Sequence, residues 1–75
     1  MTPGELKTLL GSAFPEADVA VASPDGVHFS ARVVDAGFSG LSRIARHQRV
    51  YAVLGERMGG EIHALSLETL APGET

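Results

Sequence analysis

Three histidines, His28, His47 and His63, are the side chains of this sequence best suited to bind a metal or to exchange protons near neutral pH. The chain contains no cysteine, which excludes thiolate ligands, disulfides and a cysteine nucleophile. Neutral imidazole is a good ligand for iron, and a histidine pair on one iron of a two-iron cluster occurs in Rieske centres. Since imidazole titrates near pH 6.5 and must lose its proton to bind, such ligation should weaken in acid.

A second group that could act chemically is a series of arginines. Arg43, Arg46 and Arg49 recur at every third residue, which gives one side of the region a local positive charge although the chain has a net charge of -3. This strip is either a solvated face, a docking site for glutathione or an acidic partner, or a set of phosphate contacts to nucleic acid. The spacing of the arginines leaves these alternatives open.

The sequence offers little that would support catalysis. It has no nucleophile elbow, no phosphate-binding glycine loop and no zinc-protease histidine spacing. An acidic isoelectric point near 5.4 also argues against a protein that neutralises phosphates over its whole surface. We therefore expect a binding protein and not an enzyme.

The first helix is predicted from its start and stop signals. Thr2 and Glu5 have the spacing of a capping box, and Pro3 suits the first helical position. Phe14-Pro15 ends the helix because the residue before a proline avoids helical backbone angles. The predicted helix covers residues 3–13 and has one apolar stripe, formed by Leu6, Leu9, Leu10 and Ala13.

A hairpin follows and places His28. Residues 18–22 and 27–34 are predicted strands, joined by a turn at Ser23-Pro24-Asp25-Gly26. Alternation in the second strand puts His28 on the face opposite the apolar residues Val27, Phe29, Ala31 and Val33.

Residues 41–57 are predicted to be helical, but their apolar positions fall into two sets on nearly opposite sides, Leu41, Ile44 and Ala45 against Val50, Val53 and Leu54. One straight helix would expose one of these sets. We therefore predict two short helices with a change of direction near Arg46-His47. His47 would then serve in packing or capping at the break and is not counted as a ligand.

A third strand is predicted over residues 61–67, with His63 on the same face as Leu65 and Leu67. His63 is therefore either a ligand at the strand start or a core-edge histidine bonded to backbone. A helical crossover usually returns parallel, so His28 and His63 should reach the same end of the sheet.

These elements predict one α+β domain over residues 1–75, with a core from about 3 to 70 and a frayed tail at 71–75. Its order is helix-strand-strand-helix-helix-strand, with a mixed three-stranded sheet covered by helices on one face. No leader or membrane span is apparent in the sequence, so a cytoplasmic protein is expected.

Four stretches of the sequence resemble the BolA family. They occur in the family's order and spacing and cover about residues 5 to 70: Asp25-Gly26-Val27-His28-Phe29, Phe38-Ser39-Gly40-Leu41-Ser42-Arg43, Arg46-His47-Gln48-Arg49-Val50-Tyr51 and Ile62-His63-Ala64-Leu65-Ser66-Leu67.

The resemblance implies a fold similar to a type II KH domain, usually with one further helix at the end. It also implies a monothiol glutaredoxin partner and a shared 2Fe-2S cluster, ligated by the glutaredoxin cysteine, glutathione and BolA side chains. The ligand positions of the family correspond here to His63 and His28. The resemblance thus predicts a non-enzymatic adaptor in iron-sulfur cluster trafficking, with no cluster expected in the isolated chain.

Two departures from the family pattern are visible. The final helix is cut short at Ala71-Pro72-Gly73, and Gln48 interrupts a segment that is more basic in many relatives. Ser39-Gly40-Leu41-Ser42 also lacks the two glycines of a KH clamp on nucleic acid.

The alternative function is a small DNA-binding transcriptional regulator that works through Arg43, Arg46 and Arg49.

Overall fold

A computed structural model describes residues 1–74 of the chain. Two α-helices and three β-strands make up the fold, in the order α1 Pro3–Ala13, β1 Asp18–Ala22, β2 His28–Val34, α2 Arg43–Leu54 and β3 Ala64–Leu70. Single 3₁₀ turns precede and follow α2, at Ala36–Phe38 and Gly55–Arg57. Neither α-helix has the length and apolar content needed to cross a bilayer.

The limits of α1 confirm the prediction from its capping signals. The Glu5 amide donates to the Thr2 hydroxyl at 3.1 Å, and the Thr2 amide donates to the Glu5 carboxylate at 2.9 Å. At the other end the Phe14 amide donates to the Leu10 carbonyl, after which Pro15 prevents continuation. Local chemistry alone therefore defines this helix.

The sheet has the strand order β1-β2-β3, with β1 antiparallel and β3 parallel to β2. In β2 the side chains of Phe29, Ala31 and Val33 are buried while those between them are exposed. The helices therefore cover one face of the sheet only, and the predicted fold class is confirmed. Val27 is the exception to the predicted alternation, since it lies outside β2 and is 39% exposed.

One hydrophobic cluster lies between that face and the helices. Its buried side chains come from α1, β1, β2, α2 and the segments between the elements, and β3 adds the partly buried Leu65 and Leu67. Because the same cluster contacts both helices and the sheet, the relative placement of the strand ends depends on this packing.

The change of direction predicted near Arg46-His47 does not occur. α2 runs without interruption through both residues, and it leaves Ile44 71% and Tyr51 38% exposed. A break in the helix would leave backbone amides and carbonyls without partners, each at a cost of about 1 kcal/mol or more. An apolar side chain that stays in water costs nothing relative to the unfolded chain, so exposure is the less costly solution.

The third strand begins three residues later than predicted, at Ala64 and not at residue 61. Gly59, which has a φ of 86°, and Gly60 form a tight turn. Ile62 is then held by its amide to the Arg57 carbonyl at 2.9 Å and by its carbonyl to the Gly59 amide at 2.8 Å. The amide and carbonyl of Ile62 are thus bonded within this turn, and pairing with β2 starts only after His63.

The tail after β3 makes specific contacts. Ala71 is buried, and the Glu74 carboxylate accepts from the Arg46 guanidinium, with Nη2 and Oε2 at 3.0 Å, and from the Ala71 amide. These bonds hold the pKa of Glu74 down to about 2, mainly through Arg46. The frayed tail over 71–75 stays a prediction, of which residues 71–74 make these contacts and Thr75 lies outside the described residues. No helix follows β3 within residues 1–74.

Candidate functional site

Parallel pairing of β2 and β3 brings His28 and His63 to the same end of the sheet, as predicted. His28 is the first residue of β2 and pairs with Ala64, the first residue of β3. His63 is the residue directly before Ala64. With adjacent strands about 4.8 Å apart and consecutive Cα atoms 3.8 Å apart, the Cα atoms of the two histidines lie within about 9 Å.

The turn that precedes His28 is built around Asp25. One carboxylate oxygen, Oδ1, accepts from the backbone amides of Val27 and His28, each at 2.9 Å. Ser23 completes the turn, because its hydroxyl accepts from the Gly26 amide and donates to the His28 carbonyl. Gly26 has a φ of 76°, which a side chain would disfavour. The start of β2 is therefore fixed by four local hydrogen bonds.

The same carboxylate also orients the His28 ring. The second oxygen of Asp25, Oδ2, lies 2.7 Å from His28 Nδ1, while the His28 side chain remains 65% exposed. A carboxylate at Nδ1 favours the proton on that nitrogen, which leaves the lone pair of Nε2 directed outward as a metal ligand. The bonds from the His28 amide, the His28 ring and the Val27 amide hold the pKa of Asp25 well below its usual value. Asp25 is thus a carboxylate throughout the range in which imidazole titrates.

His63 is exposed and follows the fully buried Ile62. Its side chain makes no hydrogen bond within residues 1–74, and it precedes β3 where the prediction put it inside the strand. The structure therefore does not support the alternative of a core-edge histidine bonded to backbone. Ile62 anchors the chain, and His63 is presented to solvent beside the start of β2.

The face of the sheet around His28 is not covered by a helix, and its side chains are small. Its nearest neighbours across the strands are small side chains, Ala22, Ser30, Ala64 and Ser66, and neither helix covers them. A partner protein can therefore approach the end of the sheet closely without displacing any element of the fold.

The described residues do not contain a complete metal site. Within residues 1–74 no group of three or more histidine, aspartate or glutamate side chains is arranged to hold a metal ion. Two imidazoles nevertheless match what one iron of a two-iron cluster needs beyond its bridging sulfides. Any cluster bound at His28 and His63 would need its remaining ligands from another molecule.

Of the three arginines, only Arg46 is paired with a carboxylate within residues 1–74. Arg46 donates to Glu74 and, through Nε, to the Leu41 carbonyl at 3.0 Å. Arg49 donates to the Gly37 carbonyl at 3.2 Å. Arg43 makes no side-chain hydrogen bond in the described part of the chain. The fold thus neutralises one of the three predicted contact residues, while Arg43 and Arg49 are exposed and keep their positive charges.

His47 lies inside α2, so its predicted place at a helix break is wrong. It is half-buried beside Arg43, and its pKa is lowered, first by burial and then by the positive charge of Arg43. It is not near His28 or His63 in the sheet register, since it contacts the other end of β3.

Sequence reasoning missed Asp25 as a positioning residue for His28. The signal was present, because an aspartate in a turn often accepts from amides two and three residues later. That the second oxygen would then meet the His28 ring follows from the geometry of this turn and not from the spacing.

Comparison with known sequences supports the family resemblance. A family model described as BolA-like protein matches residues 10–74. Human BolA-like protein 1 is 40% identical over 55 residues, covering 73% of this chain and 40% of the human protein. The "DNA-binding transcriptional regulator BolA" of Haemophilus influenzae is 40% identical over 47 residues, covering 63% of this chain and 46% of that protein. The chain thus matches less than half the length of these two relatives.

Solved structures agree with the sequence comparison. A bolA protein homologue from Coxiella burnetii superimposes with a TM-score of 0.83 at 37% identity, covering 96% of this chain and 92% of the other. The BolA domain of SufE1 from Arabidopsis thaliana gives a TM-score of 0.81 at 26% identity, covering 97% and 94%. The family model spans nearly the whole chain and the same fold recurs in these relatives, so this chain belongs to the BolA family.

Proposed function

We propose that this protein is a non-enzymatic adaptor that binds a monothiol glutaredoxin and uses His28 and His63 to help ligate or transfer a 2Fe-2S cluster. The glutaredoxin cysteine and glutathione would supply the remaining ligands. The observation that carries the proposal is that two exposed imidazoles, His28 oriented by Asp25 and His63, lie at the same end of the sheet. Membership of the BolA family supports the choice of partner.

The residues of this chain would hold the two histidine ligands in place and orient them toward the cluster. Asp25 keeps the proton of His28 on Nδ1 and so keeps Nε2 available. Buried Ile62 fixes the backbone next to His63, and the small residues of the open sheet face let the partner approach. The cluster, when bound, supplies the redox chemistry and the link between the two proteins.

Visible circular dichroism of a cluster-loaded monothiol glutaredoxin, titrated with this protein, tests the proposal. We expect the spectrum to change and to saturate near one chain per cluster, because imidazole replaces a ligand on one iron. His47→Ala is the matched control, since that histidine lies elsewhere, and it should behave like the wild type. A spectrum that stays unchanged in a saturating excess of the protein would rule the proposal out.

DNA binding is the second candidate, favoured by the name of the H. influenzae relative. It would have to rely mainly on Arg43 and Arg49, because Arg46 is paired with Glu74. Binding of this kind would weaken as the salt concentration rises and would leave the glutaredoxin spectrum unchanged. The titration above therefore distinguishes the two functions.

Asp25→Asn should weaken cluster binding by about 10- to 100-fold, the effect usual for loss of a carboxylate behind a ligating histidine. The asparagine carbonyl can still accept from the Val27 and His28 amides, so the turn should persist. Its amide group, however, would face His28 Nδ1 and move the ring proton to Nε2, the ligating nitrogen.

The same titration gives the apparent affinity of the Asp25→Asn variant, and ¹⁵N NMR of the ring nitrogens reports which one carries the proton. Glu61→Gln is a suitable control, because it also removes a carboxylate from the same end of the sheet but makes no hydrogen bond to either histidine. An Asp25→Asn variant that binds the cluster as tightly as the wild type would show that His28 is not a ligand oriented by Asp25.

A further inference from the structure

The outer edge of β3 has backbone groups without partners. β3 is the last strand of the sheet, and the Asp35 amide donates to the Leu70 carbonyl at 2.9 Å, so Leu70 faces β2. By alternation, the amides and carbonyls of Leu65, Leu67 and Thr69 point away from β2. Within residues 1–74 no other backbone group pairs with them, but Thr69 is only 8% exposed and its carbonyl accepts from Arg46 at 3.4 Å, so Leu65 and Leu67 form the accessible part of the edge. Such an edge is a template for another strand.

A groove of about 380 Å³ runs beside this edge, between α2 and β3. Its walls are formed by two residues one helical turn apart and by the end of the strand: Arg43, His47, Leu67, Glu68, Thr69 and Leu70. The groove therefore places side-chain contacts next to the open backbone groups. This combination is what an added strand requires for both affinity and specificity.

The charges of the groove favour a carboxylate. Glu68 is paired with Arg32 at 2.7 Å, and Arg46 with Glu74, so both pairs are neutralised. Arg43 has no acidic partner within residues 1–74 and remains the cation that an incoming group would meet. The Thr69 hydroxyl, in the same wall, is buried and has no hydrogen-bond partner there.

We propose that the outer edge of β3 binds an extended segment of an acidic partner protein as a fourth strand, with an Asp or Glu side chain of that segment on Arg43. The open amides and carbonyls bind the main chain of the segment, and Arg43 selects the acidic side chain. The other edge strand, β1, also lies at the sheet edge, but the groove that contains Arg43 adjoins β3 and not β1. A nucleic-acid strand fits less well, because no Phe, Tyr or Trp side chain lines the groove and the carboxylate of Glu68 does.

This proposal can be tested by ¹H-¹⁵N NMR with a capped pentapeptide, acetyl-Thr-Val-Glu-Val-Thr-amide, titrated into the labelled full chain. We expect the amide signals of Leu65 and Leu67 to shift and their hydrogen exchange to slow. Arg43→Gln should weaken binding of this peptide about tenfold but leave binding of the matching Gln peptide unchanged. Arg43 is exposed, so the variant should keep the wild-type spectrum elsewhere.

Several outcomes would overturn the proposal. These are absence of shifts at millimolar peptide, shifts confined to β1 or to the His28 end, equal binding of the Glu and Gln peptides, or tighter binding of a short oligothymidylate at the same amides. Shifts of the β3 amides on concentrating the protein alone would identify a second copy as the occupant instead. Because no cluster or glutaredoxin takes part, this result is independent of the proposed function.

Discussion

Replacing His63 by alanine should abolish the change that the wild-type protein produces in the visible circular dichroism of the glutaredoxin-bound cluster. The imidazole nitrogen would bind the iron directly, and the alanine side chain has no atom that can replace it as a ligand. His63 is exposed and precedes β3, so the variant should fold with a free energy of unfolding within about 0.5 kcal/mol of the wild type. Loss of the spectral change can therefore be assigned to ligation.

A second readout separates ligation from docking. Binding of His63→Ala to cluster-free glutaredoxin, measured by calorimetry, should remain close to that of the wild type, because the open sheet face is unaltered. His47→Ala again serves as the control, as a histidine of α2 at the other end of β3. If His63→Ala produced the full spectral change, His63 would have no role as a ligand and the site would have to be sought elsewhere.

The elements predicted correctly are those whose limits are set by neighbouring residues. Thr2 and Glu5 determine where α1 starts, Phe14-Pro15 where it ends, and Asp25 with Gly26 where the hairpin turns. In each case the donor and the acceptor lie within a few positions of each other. Sequence patterns capture such bonds well.

The errors have two different causes, distant packing in α2 and an unrecognised local turn before β3. The break predicted in α2 assumed that every apolar side chain must be buried, but the core accepts Val50 and Leu54 and leaves Ile44 in water. The start of β3 was placed too early because the turn that holds Ile62 cannot be recognised from strand alternation.

The candidate site shows the same division. The family resemblance pointed to His28 and His63, and their arrival at one end of the sheet follows from a parallel crossover, which is a rule of topology. The engagement of Arg46 by Glu74, separated from it by 28 positions, has no local pattern and removes one arginine from the predicted basic strip. Which charged groups remain free is thus decided by the tertiary fold.

Phe38→Ala should lower the free energy of unfolding by about 3–5 kcal/mol, the cost usual for truncating a buried phenylalanine. Phe38 is fully buried in the 3₁₀ turn between β2 and α2, and its ring centroid lies 5.8 Å from that of Phe14 in a tilted arrangement. A domain of this size has a total stability of only about 4–11 kcal/mol, so the loss is a large part of it.

Urea denaturation followed by far-ultraviolet circular dichroism measures this loss, and Ile44→Ala is the control because that side chain is 71% exposed. The control should change the free energy of unfolding by no more than about 0.5 kcal/mol. A loss below about 1 kcal/mol for Phe38→Ala would mean that the core does not depend on this ring. Because the core holds β2 and β3 together, unfolding of the Phe38→Ala variant would also separate His28 from His63, and the protein would lose cluster binding through its fold while both ligands remain in the chain.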